Sequence, residues 1–265
     1  MYDDFSSDYD RFVNWPGRLA AEIPFVEREL CAMRASRVLD AACGTGMHAV
    51  ALAQRGYEVA GSDLSVGMVE RARVNAATAG VDVRFEAAGF GELAQTFGSQ
   101  PSAAFDAVLC LGNSLPHLLT ATALSAALVD FAACLRPGGL LLIQNRNFDA
   151  VMERGERWMD PQPHREGELE WLFCRFYDFE ADGTLTFNLA TLRREGAGGW
   201  KQQVTSTQLW PLRQAELAAA LAETSFDDIA YYGDMSGAPL DVDHSPNLVV
   251  TARRKNIAID EVKGK

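Results

Sequence analysis

The sequence predicts an α/β fold built on a mostly parallel, doubly wound sheet of seven strands, with an antiparallel β insertion after strand five. Three observations carry this. Apolar strand-like runs alternate five times with helical patterns over residues 1–150. The first run, Arg37-Val38-Leu39-Asp40, feeds a glycine turn, Ala41-Ala42-Cys43-Gly44-Thr45-Gly46, with a helix over His48 to Gln54 behind it. The second run, Tyr57 to Asp63, ends on an acid, as a nucleotide-binding sheet requires.

Taken in order, residues 1–17 are rich in Asp, Ser and aromatics and form a mobile or short helical lead. Its Tyr9, Phe12 and Trp15 either fold over a ligand or staple the next helix onto the domain. Arg18 to Met33 is amphipathic through Leu19, Ile23, Val26 and Leu30, and Arg18 starts it. Leu64 to Ala79 is a helix that turns Met68, Val69 and Ala72 inward. Val81 to Glu86 is the third strand, Phe105 to Leu111 the fourth and Leu140 to Gln144 the fifth. Between the last two, a helix through Leu124, Leu128, Phe131 and Leu135 stops at Arg136-Pro137-Gly138-Gly139, since proline cannot continue it.

After residue 150 the pattern changes. Residues 151–167 are polar, and from Leu169 to Leu212 come short runs of Trp, Phe, Thr and Leu, broken at Asp182-Gly183 and Gly196-Ala197-Gly198-Gly199. Asp-Gly between alternating runs signals a hairpin. The division expected is a cofactor-binding core at 1–150, a β cap at 151–212, the end of the core sheet at 213–254 and a flexible tail at 255–265. Helix Arg213 to Glu223 and strands at Ile229–Tyr232 and Leu248–Ala252 complete the sheet.

A formal net charge of −12 argues against a nucleic-acid substrate, which needs a basic face to meet phosphates. The five cysteines, Cys31, Cys43, Cys110, Cys134 and Cys174, form no C-x-x-C pair and read as small buried apolar residues in a reducing compartment. The acidic N-terminus indicates no signal peptide, and no apolar run is long enough for a membrane span. The chain thus reads as cytoplasmic, without a membrane or nucleic-acid partner. The four histidines show no metal-ligand spacing, and no metal is expected. The oligomeric state is not legible.

Gly44-x-Gly46-x-x-Ala49 satisfies a dinucleotide fingerprint. Asp40, however, would then face a doubly charged pyrophosphate with no basic residue in the turn. S-adenosylmethionine, with an ammonium, a sulfonium and a ribose but no phosphate, suits two acids better. Asp63 would accept the ribose hydroxyls, and Gly44 and Gly46 would let the ligand approach the backbone. The plainer alternative is that Asp40 caps the following helix.

Leu39-Asp40-x-Ala42-Cys43-Gly44-Thr45-Gly46 and Gly61-Ser62-Asp63-Leu64-Ser65-x-x-Met68 resemble the cofactor core of class I S-adenosylmethionine-dependent methyltransferases. The resemblance spans about the first 150 residues and implies a Rossmann-like sheet whose last strand is antiparallel. It also implies that Arg18 holds the cofactor's methionine carboxylate. Tyr9, Asp40, Ala42, Gly44, Gly46, Asp63, Leu64, Met68, Gly89, Phe90, Leu111 and His117 are the expected cofactor contacts, with Phe90 offering an aromatic face to adenine.

Beyond strand four lies Cys110-Leu111-Gly112-Asn113-Ser114-x-x-His117-Leu118, and beyond strand five Arg146-Asn147-Phe148-Asp149. Asn113 either receives an amine N–H or simply turns the chain. Arg146 either grips a carboxylate or pairs with Asp149 or another acid of the insertion. These segments resemble glycine and sarcosine N-methyltransferases, in which the asparagine lies by the amine and the arginine holds the substrate carboxylate. The cap shows no clear match to that family's substrate-facing tyrosine. The expected substrate is therefore a small amine bearing a carboxylate. A larger metabolite methylated on O or N, and a cofactor-binding protein without turnover, remain the alternatives.

Overall fold

The computed structural model describes residues 2–98 and 104–256, with side chains from Phe5 onward. It opens with helices α1 (Tyr2–Phe12) and α2 (Trp15–Ala32). Five strands follow, each succeeded by a helix: β1 (Arg37–Ala41), α3 (Met47–Ala53), β2 (Glu58–Asp63), α4 (Val66–Ala79), β3 (Arg84–Ala87), α5 (Leu93–Phe97), β4 (Phe105–Cys110), α6 (Ala121–Cys134), β5 (Leu135–Arg146) and α7 (Phe148–Arg154). An antiparallel sheet, β6 (Gln162–Glu166), β7 (Leu169–Phe179), β8 (Leu185–Glu195) and β9 (Lys201–Leu209), then intervenes before α8 (Gln214–Glu223), β10 (Phe226–Tyr232) and β11 (Asn247–Arg254).

The core sheet has the order β10-β11-β5-β4-β1-β2-β3. Strands β1 to β5 run parallel, and β11 lies antiparallel to both β5 and β10. The reversal between β1 and β4 opens a crevice at the carboxyl ends, where such sheets bind ligands. Buried side chains of β1, β4 and β5 alternate between two apolar layers. Leu39, Val108 and Leu141 pack toward α6 and α8, while Val38, Ala107 and Leu142 pack toward α2 and α3. Burial on both faces explains why these strands read as continuous apolar runs.

Several element boundaries differ from expectation. Helix α2 begins at Trp15, not Arg18, because Asn14 caps it by accepting from the Gly17 N–H, and Pro16 fits the first turn. Helix α6 ends at Cys134, and Leu135 already pairs with Phe105; the Pro137-Gly138-Gly139 segment is a register shift inside β5. Helix α7 occupies part of what read as a polar loop, capped by Asn147 accepting from the Ala150 N–H at 3.4 Å. Pro163 lies within β6, which is tolerated because β6 is an edge strand. Just past β11 the Lys255 N–H donates to the Ser225 carbonyl at 2.8 Å; residues 257–265 of the expected tail lie outside the described residues. Among the cysteines, Cys31 is exposed rather than buried. Among the described residues, no helix is long and apolar enough to cross a membrane.

The second sheet is tied to the core at specific points. Arg11 of α1 pairs with Glu166 of β6 at 3.0 Å, and the Trp210 N–H after β9 donates to the Pro116 carbonyl beyond β4. Phe5 packs against Phe173 of β7 edge-on.

Candidate active site

The carboxyl ends of β1, β2 and β4 surround a cavity of about 700 Å³. Its wall contains Tyr9, Arg18, Asp40, Ala42, Gly44, Asp63, Leu64, Met68, Gly89, Phe90, Leu111 and His117, which are the expected cofactor contacts with one exception. That exception is Gly46. It caps α3 with φ +75°, and a Cβ there would stand 2.8 Å from the Ala72 Cβ and the Phe85 ring. Gly46 is thus a packing glycine between α3 and α4. Gly44, with φ +55°, does face the cavity, under the ring of Tyr9. Ala42 holds φ +58°, a left-handed conformation that costs an alanine energy and persists because the turn around it is fixed.

Asp63 fixes that turn. Its Oδ2 accepts from the Gly44 N–H and its Oδ1 from the Ser65 N–H, each at 2.9 Å. Asp40 is 1% exposed and its Oδ2 has no partner. Burial pushes its carboxyl up to about 6; the nearby Asp63 charge adds to this, while His48 and Arg18 oppose it. The backbone N–H of Ala49 in the first turn of α3 also opposes the rise by bonding to this carboxyl, so Asp40 helps tie down the start of that helix although the N-cap residue is Gly46. An orphaned buried carboxylate oxygen beside a glycine turn is what a cationic ligand would satisfy, so the residues fit S-adenosylmethionine. Phe90 lines the same cavity and packs edge-on against Phe131.

Arg18 belongs to a network that sequence reasoning missed. Its Nε donates to both oxygens of Glu22 at 3.1 Å, and its Nη2 reaches the Gln144 Oε1 at 3.4 Å. Gln144 also accepts from the Gly112 N–H and donates to Glu22. Burial works against ionisation of Glu22, but His48 at 2.6 Å and Arg18 outweigh it and hold the carboxyl below its usual range. His48 therefore donates its Nε2–H to an ionised partner. The i,i+4 spacing of Arg18 and Glu22 was the available signal.

A second cavity, of about 740 Å³, lies between the core and the antiparallel sheet. Tyr9, Arg18, Gly112, Asn113 and His117 line both cavities, so the two meet at the carboxyl end of β4. Burial depresses His117 to about 4, leaving its ring neutral near pH 7. Asn113 has φ +71°, and its Oδ1 accepts from the Arg146 N–H at 2.9 Å. The asparagine amide oxygen expected to meet an amine thus ties the β4 loop to the end of β5. Arg146 pairs with Glu156 at 2.6 Å rather than with Asp149, which accepts from the Gln214 N–H.

Strand β7 turns Trp171, Phe173, Arg175 and Tyr177 inward. The Arg146 guanidinium lies 5.7 Å from the Tyr177 ring centre, and burial raises the Tyr177 hydroxyl's pKa against the pull of Arg146 and Arg175. Period-two alternation over residues 171–177 would have found Tyr177 and Arg175. Their distance from the core in sequence hid the shared cavity. Among the described residues, no group of three or more metal-ligating side chains is gathered.

Comparison with known proteins agrees with this arrangement. A methyltransferase-domain family matches residues 38–139. The chain is 30% identical to a glycine/sarcosine N-methyltransferase of Aphanothece halophytica, over 88% of this chain and 82% of that protein. It is 31% identical to one of Parasynechococcus marenigrum, over 88% and 77%. Among solved structures, a methyltransferase of Clostridium acetobutylicum superposes with a TM-score of 0.75 at 15% identity, covering 96% of this chain and 99% of that one. With a glycine turn, paired strand-tip acids and relatives matched along most of its length, the chain belongs to the class I S-adenosylmethionine-dependent methyltransferases.

Proposed function

We propose that this enzyme methylates the nitrogen of a small amine bearing a carboxylate, of the glycine or sarcosine kind. The observation that carries the reading is the junction of the two cavities at Asn113 and His117, with Arg146 on the acceptor side. The names of the two relatives, each matched over 88% of this chain, support it. On the cofactor side, Asp63 would hold the ribose and the Gly44 backbone, with Ala42, the methionine portion. Arg18 would hold the methionine carboxylate, with Asp40 offering its charge to the cationic groups. Leu64, Met68, Gly89, Phe90 and Leu111 would enclose the adenosine. Residues 151–212 would act as the cap and 1–150 as the cofactor core.

When bound, the cofactor would supply an electrophilic methyl carbon on its sulfonium for displacement by the amine nitrogen, with the thioether as leaving group and the surplus nitrogen proton going to solvent. The chain's own contribution is positional. Asn113 anchors the β4 loop to β5 and so holds the acceptor wall close to the junction. The Arg146 cation would grip the carboxylate in place of the half-exposed Glu156, and its charge favours the neutral amine that displacement needs. Neutral His117 adds no competing positive charge at the junction.

The test is turnover across a panel of amines with Arg146→Ala beside wild type. Losing a charge-assisted pair is worth about 1.5–3 kcal/mol, so KM for glycine or sarcosine should rise roughly 10- to 100-fold while S-adenosylhomocysteine affinity holds. Equal activity of the two proteins overturns the reading. A second reading is a larger O- or N-methyl acceptor, favoured by the 740 Å³ chamber and by the Arg146–Glu156 pair. A preference of wild type for phenols or uncharged amines would select it. Binding without turnover on any acceptor would mark a cofactor-holding protein.

A further inference from the structure

The inner face of β7 is apolar except at one position. Arg175 projects there between Phe173 and Tyr177, opposite Leu189 of β8, and lines the acceptor cavity. Its Nε is fully buried and makes no hydrogen bond. Its Nη2 has the amide oxygen of Gln162 at 3.2 Å, in the orientation that the neighbours of that amide favour, and one side is covered by the Phe12 ring at 5.1 Å. Neither partner carries negative charge. Asp160 acts on it electrostatically, but among the described residues no carboxylate forms an ion pair with it. The groups facing it are burial-favouring rings, the Tyr9 and Tyr177 hydroxyls and a second guanidinium, Arg146. Burial lowers its pKa, and repulsion from the Arg146 guanidinium lowers it further.

A cation on an inward face is costly unless something compensates it. Arg146 has Glu156 as an ion-pair partner, whereas Arg175 has none among the described residues and faces an open cavity. The cavity, about 740 Å³, is in the range of roughly 300–1,000 Å³ that holds drug-sized ligands, far beyond a five-atom amino acid. We propose that the acceptor carries a second anionic group, held by Arg175, so that the preferred substrate is an amino dicarboxylate rather than glycine. This rests on the reading that Arg146 binds the first carboxylate. Tyr177, beside both guanidiniums, sets the gap that the two anions must span.

The experiment compares methyl transfer to glycine, sarcosine, iminodiacetate, aspartate and glutamate by wild type, Arg175→Gln and Arg175→Lys, with S-adenosylhomocysteine binding and thermal melting as controls. Wild type should favour at least one diacid over glycine by tenfold or more in kcat/KM. Arg175→Gln should bring the two within about threefold of each other, mainly through KM of the diacid, with a smaller loss on glycine than on the diacid. Arg175→Lys should recover part of the preference. Glycine preferred over every diacid by wild type, or an equal loss on both substrates in Arg175→Gln, overturns this inference and leaves the monocarboxylate reading intact. Turnover confined to neutral amines or phenols overturns both.

Discussion

The cofactor-side cavity takes most of its wall from short consecutive segments, residues 40–48, 63–68 and 88–92, each at the tip of a strand. The acceptor-side cavity draws instead on α1, α2, the ends of β4 and β5, α7, all four strands of the second sheet and the loop before β11. In the first, chemistry and backbone turn come from the same few residues: Asp63 holds the Gly44 N–H that shapes the turn. In the second, positions far apart along the chain must meet, and their side chains satisfy each other, as Glu156 does for Arg146. The first is specified locally and its function follows from geometry. The second is specified by packing, which leaves it free to change substrate.

The largest effect should come from breaking the local unit. Asp63→Ala removes one backbone hydrogen bond that fixes the glycine turn and another at the start of α4, together with the proposed ribose contact. Affinity for S-adenosylhomocysteine should fall about 100-fold, some 3 kcal/mol, by calorimetry, with the acceptor cavity untouched. A change under threefold would show that the turn does not depend on its acid.

That contrast also governs what was legible in the sequence. The glycine turn, Asp40, Asp63 and the strand alternation are local signals, and β1 to β5 emerge from them. The Asp182-Gly183 hairpin was equally local and joins β7 to β8. The helix break at Pro137 was placed too late because β5 already begins at Leu135, paired with Phe105, an outcome that tertiary contact decides. Glu22, His48 and Gln144 are 26 and 96 residues apart along the chain yet share hydrogen bonds. Arg175 and Glu156 gain their meaning from Arg146 alone. No periodicity reports such meetings; only the fold does.

A middle-sized effect would separate the two glycines of the turn. Gly46→Ala puts a Cβ 2.8 Å from Ala72 and Phe85 at φ +75°, so α3 or α4 must shift. Stability should drop by about 2 kcal/mol, roughly 5 °C in Tm. Gly44→Ala meets only the Tyr9 ring, at 3.7 Å, and should cost about 1 kcal/mol of stability from backbone strain while weakening cofactor binding more than Gly46→Ala does. The reverse ranking on binding would mean that Gly46, not Gly44, faces the ligand.

The smallest effect is a pH dependence that belongs to the cofactor side alone. In the free protein burial lifts the Asp40 carboxyl from 3.8 to about 6. Because the folded value lies above the unfolded one, this group's contribution to stability is present below pH 3.8 and is lost as pH rises through about 6. A cationic ligand favours the ionised carboxylate, so binding expels a proton wherever Asp40 is still protonated. Affinity for S-adenosylhomocysteine, whose ammonium remains charged, should therefore rise as pH goes from 5 to 7, by up to about tenfold per unit below 6. Asp40→Asn should flatten that slope and raise the Tm of the cofactor-free protein at pH 7, since the orphaned charge is gone. Calorimetry at several pH values in buffers of different ionisation enthalpy counts the proton directly. A flat profile in wild type with no proton released would show that the buried Asp40 oxygen does not sense the ligand's charge.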